Sequence, residues 1–360
     1  MPEIRKKIIV GMSGGVDSSL AALLLKQAGH DVEGVCMAIY DTSGTTRKLP
    51  GHGCYDCDEE KDISAARRIC EQVGIPFHVY DCSNDYRRYV LDYFRSEYMS
   101  GRTPNPCVRC NHFMKFGVLN KMAADDGIRF DYFATGHYAR VSYSPEKQAF
   151  LLKKGMDDRK DQSYFLYRLT QEQLSKTLFP LGKYTKTEVR ALAERNGLSV
   201  HDKPDSQDFY SGDYADLLNA APKEGFIVLS DGRRLGRHKG FWNYTVGQRK
   251  GLGIAYPEPL YVVELDAERN EVIVAPESET FQTACRAGDL SWTARAPEVG
   301  SVLTAKLRSA QPPREVTLTH LSETEMALEF TEPQKAITPG QSVVLYDGEV
   351  VLGGGIIRKR

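Results

Sequence analysis

The sequence predicts an α/β protein: an N-terminal doubly wound parallel sheet, then a small central domain and a C-terminal β-barrel. Three observations carry this. Through the first third of the 360 residues, short apolar runs alternate with stretches of helical apolar spacing. From about Phe226 the pattern changes to short strands broken by turn residues. Asp-Gly pairs at 231–232 and 347–348 are hairpin signals. The chain is long enough for two or three domains, each with its own core. We place the divisions at 1–215, 216–280 and 281–360.

The elements follow in order. KKIIVGM over 6–12 is a buried strand, and DSSLAALLLKQAGH over 17–30 has helical spacing that stops at Gly29. A second strand is predicted over 31–40, then an amphipathic helix over 58–74, acidic early and ended by Gly74. A third strand covers 77–82, a long helix 85–101, a further helix 116–127 and a strand 131–139. Such alternation implies parallel strands with right-handed crossovers, and ligands bound beyond the carboxyl ends of the strands. GMSGGVDSS, TPNPCVRCN and TGHYAR all lie near predicted strand or helix ends, where one mouth can serve all three. The C-terminal strands come from FIVLSDGRRLG, YVVELDAERNEVIVAP, VTLTHLSETEMALEF and SVVLYDGEVVLGGGII.

Composition narrows the class. With 41% hydrophobic and 26% charged residues the chain reads as a water-soluble protein. A net charge of −1 excludes a uniformly basic nucleic-acid binder but allows a local basic face. No apolar run approaches the roughly 20 residues of a membrane span, and the N-terminal apolar stretch is too short for a signal sequence. The expectation is a cytoplasmic monomer that does not enter membranes. Its eight cysteines are then thiols, metal ligands or catalytic groups rather than disulfides.

GMSGGVDSS follows the first strand and opens a helix. Glycines bring backbone N–H groups close to an anion, and the helix N-terminus adds partial positive charge. The loop lacks the lysine of a Walker A motif. Ser13, Ser18 and Ser19 can donate to phosphate oxygens, and Asp17 can hold Mg²⁺. A plain glycine-rich turn with a serine cap is the alternative.

SGGVDS in this setting resembles the signature of the PP-loop ATP pyrophosphatases, the adenine nucleotide alpha hydrolase-like class, which cleave ATP between the α and β phosphates. The chain also resembles the tRNA-specific 2-thiouridylases through GRTPNPCVRCNHFMKFG, ATGHYAR (134–140), KDQSYFLYRL (160–169), FPLGKYTKTEVRALA (179–193), YTVGQRKGLGI (244–254) and PGQSVVLYDGEVVLGGGII (339–357). These run end to end and in order. The resemblance implies an ATP-dependent sulfurtransferase that adenylates the C2 oxygen of the tRNA wobble uridine and replaces it with sulfur. Another PP-loop ligase acting on a small molecule, or a non-catalytic tRNA binder, are the rivals.

The resemblance also implies roles. Gly11, Met12, Ser13, Gly14, Gly15, Val16, Asp17, Ser18, Met37 and Gly136 match the ATP site, with Met37 against adenine. Cys110 matches the sulfur-delivering cysteine; a thiolate of lowered pKa suits that task. Asn105, Pro106 and Cys107 face the target base, while His137, Lys160, Asp161, Gln162, Arg308, Ser309 and Gln341 contact tRNA. Arg249 and Lys250 suit phosphate contacts. A cysteine desulfurase or a sulfur-relay protein is the implied donor.

The pattern is broken at two places. Many members have Asp where Cys107 stands, and a second catalytic cysteine where this chain has Tyr210 within KPDSQDFYSGDY. In compensation, C-x-x-C at 107/110 is joined by GCYDC, with Cys54 and Cys57. Three readings stay open. Cys54, Cys107 and Cys110 ligate a [4Fe–4S] cluster; Cys107 resolves a Cys110 persulfide through a disulfide; or four cysteines hold structural zinc. Cys36, Cys70, Cys82 and Cys285 read as buried inert thiols.

Overall fold

Ile8, Ile9 and Val10, two of them adjacent β-branched isoleucines, are almost wholly shielded from water and form the centre of the first strand. In this computed structural model, residues 5–40, 53–55, 58–204, 209–210 and 212–359 are described. The chain divides into two compact units. One comprises Met1–Val90, Cys107–Gly212 and Glu349–Val351, the other Leu91–Pro106, Asp213–Gly348 and Leu352–Arg360.

In the first unit, β1 (Lys7–Gly11), β2 (Asp31–Ala38), β3 (Phe77–Asp81), β4 (Tyr132–Ala134) and β7 (Thr177–Leu178) make one sheet in the order β3-β2-β1-β4-β7. All four pairings are parallel, with Lys7 opposite Asp31, Gly34 opposite Phe77, Ile8 opposite Tyr132 and Phe133 opposite Thr177. The chain winds outward from β1 in one direction and from β4 in the other. The order therefore reverses between β1 and β4, which is where a doubly wound sheet binds its ligand. Leu20 and Ala21 of the helix Val16–Gln27 share a buried core with Val189 and Ala193 of the helix Lys186–Arg195 and with Ile8 and Val10. A hairpin of β5 (Ala139–Ser144) and β6 (Ala149–Lys154) sets Lys153 opposite Val350.

Three predictions differ from the structure. The strand expected over 131–139 is only β4, Tyr132–Ala134, and a separate strand begins at Ala139. The long helix expected over 85–101 starts earlier, at Ser83–Tyr86, widens to a π-turn at Arg87–Leu91 and ends with Asp92–Met99. The cysteine segment is not a loop: Pro106–Arg109 is helical and runs into a π-helical stretch Cys110–Val118 and then Leu119–Asp125. Proline at the first helical position costs no hydrogen bond there, so Pro106 can open this helix.

The second unit holds a four-stranded sheet in the order β10-β11-β8-β9, made of β8 (Gly225–Leu229), β9 (Arg234–His238), β10 (Leu260–Asp266) and β11 (Glu271–Pro276). Only the β11–β8 pairing is parallel. A six-stranded barrel follows: β12 (Phe281–Trp292), β13 (Val302–Lys306), β14 (Arg314–Leu321), β15 (Glu325–Lys335), β16 (Ser342–Asp347) and β17 (Val350–Ile357). Its order β12-β15-β14-β13-β16-β17 closes through β12–β17, with Ala287 opposite Ile357 and Trp292 opposite Gly353. Closure leaves no strand edge exposed. At Gly353 the backbone is left-handed (φ 144°), and a Cβ would lie 2.2 Å from the Ser291 carbonyl oxygen, so the closing seam requires glycine. Both Asp-Gly pairs sit in hairpins as predicted, β8–β9 and β16–β17.

Candidate nucleotide and sulfur-transfer site

The glycine loop leaves β1 at the switch point. Met12 N–H donates to the Val35 carbonyl at 2.8 Å, extending the ladder, and Gly14 then turns into the left-handed region (φ 69°). A Cβ on Gly14 would stand 2.4 Å from the Asp62 carbonyl oxygen. Gly15 is the helix cap, and no side chain caps that helix start. The alternative of a serine cap is therefore not realised. Ser18 and Ser19 hydroxyls donate to the Gly15 carbonyl at 3.2 and 2.7 Å, Ser18 Oγ also accepts from Ser13 N–H, and Ser13 is exposed.

Asp17 ends the loop. Its Oδ1 accepts from the Tyr138 hydroxyl at 2.8 Å, and both of its oxygens accept from Lys186 Nζ at 2.8 Å. Gly136, in the turn after β4, lies against this helix start: a Cβ there would be 2.7 Å from both Asp17 C and Ser18 N. GMSGGVDSS and TGHYAR thus do share one end of the sheet. Met37 lies half-buried near the end of β2, the strand beside β1.

Cys110 is carried to the same sheet by its π-helical stretch. Phe116 packs edge-on against Phe133 of β4 at 5.2 Å and lies 6.2 Å from the His137 ring. His137 Nδ1 is 2.7 Å from Thr135 Oγ1, and burial, with Lys115 nearby, holds its pKa well below the ordinary histidine value, so the ring is neutral. Cys110 itself is pushed up to about 11, chiefly by burial, with Lys115 pulling the other way and Cys54 adding to the rise. The expected lowering of its pKa does not occur.

Cys54, Cys107 and Cys110 all act electrostatically on the buried Tyr86, whose ring stacks on Tyr55 at 5.3 Å. Tyr55 N–H donates to the Phe209 carbonyl at 2.6 Å, so the segment bearing Cys54 runs beside buried Tyr210. Among the described residues, no three His, Cys, Asp or Glu side chains are placed to hold a metal ion. The ligand set Cys54, Cys107 and Cys110 is thus not formed as a metal site, and Cys57 lies outside the described residues. Cys36, Cys70, Cys82 and Cys285 are buried, each pushed up to about 12 by burial, as inert thiols should be.

Several residues expected to touch RNA already serve the fold. Asp161 accepts from Gly155 N–H and from the Ser163 backbone and hydroxyl, and Gln162 Oε1 accepts from Tyr138 N–H at 2.9 Å. Lys160 is half-buried beside them. In the second unit, Gln341 Nε2 donates to the Thr103 and Pro104 carbonyls at 3.1 and 3.0 Å, directly before half-buried Asn105 and Pro106. Arg308 donates to Thr338 Oγ1 at 2.7 Å and to the Val246 carbonyl; Ser309 is half-buried, and Arg249 and Lys250 are exposed. Lys186, Lys203 and Tyr138 were not singled out from the sequence. The one signal for Lys186 was its place in FPLGKYTKTEVRALA.

A glycine loop, an uncapped helix start and a second glycine turn at the switch point of a parallel sheet define an α/β nucleotide-binding protein. Residues 6–210 match the tRNA methyl transferase HUP domain model, 217–276 the tRNA methyl transferase PRC-barrel domain and 282–357 the aminomethyltransferase beta-barrel domain. The chain is 44% identical over 358 residues, 99% of each chain, to the tRNA-specific 2-thiouridylase MnmA of Endomicrobium trichonymphae. It is 46% identical over 360 residues to that of Geotalea uraniireducens, covering 98% of this chain and 95% of the relative. The chain belongs to the tRNA-specific 2-thiouridylase family. A solved 4-thiouridine synthetase–RNA complex with bound ATP aligns at 17% identity over 55% of this chain and 43% of that one, with a TM-score of 0.36. No helix among the described residues is long and apolar enough to cross a membrane.

Proposed function

We propose that this chain is a sulfurtransferase that uses ATP to exchange the C2 oxygen of the tRNA wobble uridine for sulfur. What carries the reading is the meeting at one sheet end of the glycine loop, packed on Gly136, and the helix of Cys110, packed through Phe116 on Phe133 and His137. An activated oxygen and a sulfur nucleophile are then available to one base.

Uracil C2 is a poor electrophile. Attack of its oxygen on the α phosphate of ATP releases pyrophosphate and leaves an adenylate, whose AMP is a good leaving group. The 11–18 loop binds the phosphates through its N–H groups, and Met37 lies against adenine. Asp17 is a single, partly exposed carboxylate at the loop end, which fits a Mg²⁺ held mainly by phosphates and water. Mg²⁺, when bound, neutralises charge on the phosphates.

The sulfur step runs through thiols. Cys107 and Cys110 are three apart on a helical segment and share a face. A Cys110 persulfide, supplied by a cysteine desulfurase or relay protein, attacks C2 with loss of AMP. Cys107 thiolate then attacks Cys110 Sγ, forming the Cys107–Cys110 disulfide and releasing 2-thiouridine. An external dithiol reduces the disulfide before the next turnover. The persulfide is the more acidic sulfur species, which suits a pocket that keeps the Cys110 thiol itself protonated.

Asn105, Pro106 and Cys107 face the base, with Gln341 fixing the peptide before them. His137, Lys160, Arg308 and Ser309 contact tRNA, and Asp161 and Gln162 hold that surface in shape. Residues 1–215 form the catalytic domain, 216–280 a link and 281–360 a tRNA-contacting barrel, in a cytoplasmic monomer. The test is AMP release with and without tRNA, together with iron, zinc and acid-labile sulfide on anaerobically purified protein. tRNA-stimulated AMP release by metal-free protein is expected. Release indifferent to tRNA would favour a small-molecule ligase, and about four irons with matching sulfide would replace the dithiol by a cluster.

A further inference from the structure

Charge is unevenly spread along this chain. Its net charge is −1, yet between Asp231 and Glu258 it carries Arg233, Arg234, Arg237, Lys239, Arg249 and Lys250 and no acidic residue. All six cations are exposed. Four of them belong to the edge strand β9 and its two ends.

The strand is built to gather these charges on one face. Residues three apart in a regular strand point to opposite faces. Against β8, however, Arg237 stands opposite Phe226 and Arg234 opposite Val228, with a register shift between them. The bulge takes up Leu235 and turns Arg234 to the side of Arg237. Both guanidinium groups then lie on the Phe226 ring, Arg234 at 4.0 Å and Arg237 at 5.6 Å from its centroid. Lys239 continues the row by alternation, its carbonyl accepting from Lys223 N–H at 3.0 Å. The segment after Arg249 and Lys250 comes back to this strand, where a Cβ on Gly236 would stand 2.9 Å from Ile254 Cγ2.

Arg237 has Glu224 at 3.2 Å, but an exposed ion pair is worth little, so it yields to a stronger anion. Arg234 and Lys239 have no acidic partner among the described residues. An arginine resting on a ring keeps its planar edge of donors for an anion, and phosphate fits that edge. Phe226, with two guanidinium groups on it, offers no open ring to an unpaired base. The face suits a polyanion backbone and not bases.

We propose that β9 presents Arg234, Arg237 and Lys239 to the ribose–phosphate backbone of tRNA as a docking strip that ignores sequence. This rests on the reading that the chain acts on tRNA. The strip contributes affinity and takes no part in the sulfur chemistry.

The test is binding of unmodified tRNA and of an RNA duplex of unrelated sequence to the full chain over a series of salt concentrations. Three proteins are compared: wild type, Arg234→Gln with Lys239→Gln, and the charge-keeping exchange Arg234→Lys with Lys239→Arg. The glutamine pair should flatten the slope of log affinity against log salt by about 1.5 and weaken both RNAs about ten- to thirtyfold at about 0.1 M salt. The exchanged pair should keep the wild-type slope, and the rate of 2-thiouridine formation at saturating tRNA should be the same in all three. A glutamine variant whose slope moves by less than half of one phosphate's share would overturn the proposal and leave these cations as guards of an exposed strand edge. A loss on tRNA without one on the unrelated duplex, or a fall in the saturating rate at unchanged affinity, would overturn it too. Wild type that binds no tRNA at any salt would instead remove the tRNA reading beneath it.

Discussion

Cys110 is a thiol that its surroundings keep protonated, with a pKa of about 11 set first by burial. Only about one molecule in ten thousand carries the thiolate at pH 7. Alkylation of Cys110 by iodoacetamide, followed by peptide mass spectrometry, should therefore rise about tenfold per pH unit from 7 to 10. A rate that levels off below pH 9 would show that the thiolate is already formed and would contradict the burial argument. Cys54 is exposed and should label ahead of it at every pH. His137 is displaced in the opposite direction: its lowered pKa means that it favours the folded state above its ordinary value, near 6.5, and loses that contribution as pH falls. Much of this lay outside local sequence signals. The loop residues and Cys110 were legible because their motif is contiguous, whereas Lys186 meets Asp17 across 169 positions. No periodicity or spacing connects such a pair.

At the scale of elements, the first helix and the turn after β4 are locked by the lack of a side chain at Gly136. Gly136→Ala would place a methyl group 2.7 Å from the Asp17 and Ser18 backbone. We expect it to cost about 1–3 kcal/mol of stability and to weaken ATP binding at least tenfold, read by thermal unfolding and calorimetry. ATP affinity unchanged from wild type would show that the turn yields freely and does not shape the site. Parallel strands and both Asp-Gly hairpins were legible from alternation and turn chemistry. The helical character of the cysteine segment was not. TPNPCVRCN offers a single aliphatic residue, Val108, beside four polar, two cysteine and two proline positions, so apolar periodicity had nothing to register. Tertiary packing supplied the helix instead, with Val108 and Met114 buried and Phe116 set on β4.

For the whole molecule, a net charge of −1 means that attraction to tRNA must come from local positive groups. Arg249 and Lys250 are both exposed. Replacing both by alanine should flatten the slope of log affinity against log salt by about 1.5 if each neutralises one phosphate. An unchanged slope would make that turn a solvated surface and nothing more. The division into an N-terminal α/β part and a C-terminal closed barrel was legible from the change of pattern near Phe226, while the return of Glu349–Val351 to the first unit was not, because a three-residue segment leaves no mark on composition. The central claim is that Cys110 hands sulfur to an ATP-activated uridine. Nucleoside mass spectrometry of unmodified tRNA after incubation with ATP, a persulfide donor and either wild type or Cys110→Ser tests it most directly. The account predicts 2-thiouridine with wild type only, at equal tRNA affinity for both proteins; 2-thiouridine formed at the wild-type rate by Cys110→Ser would contradict it.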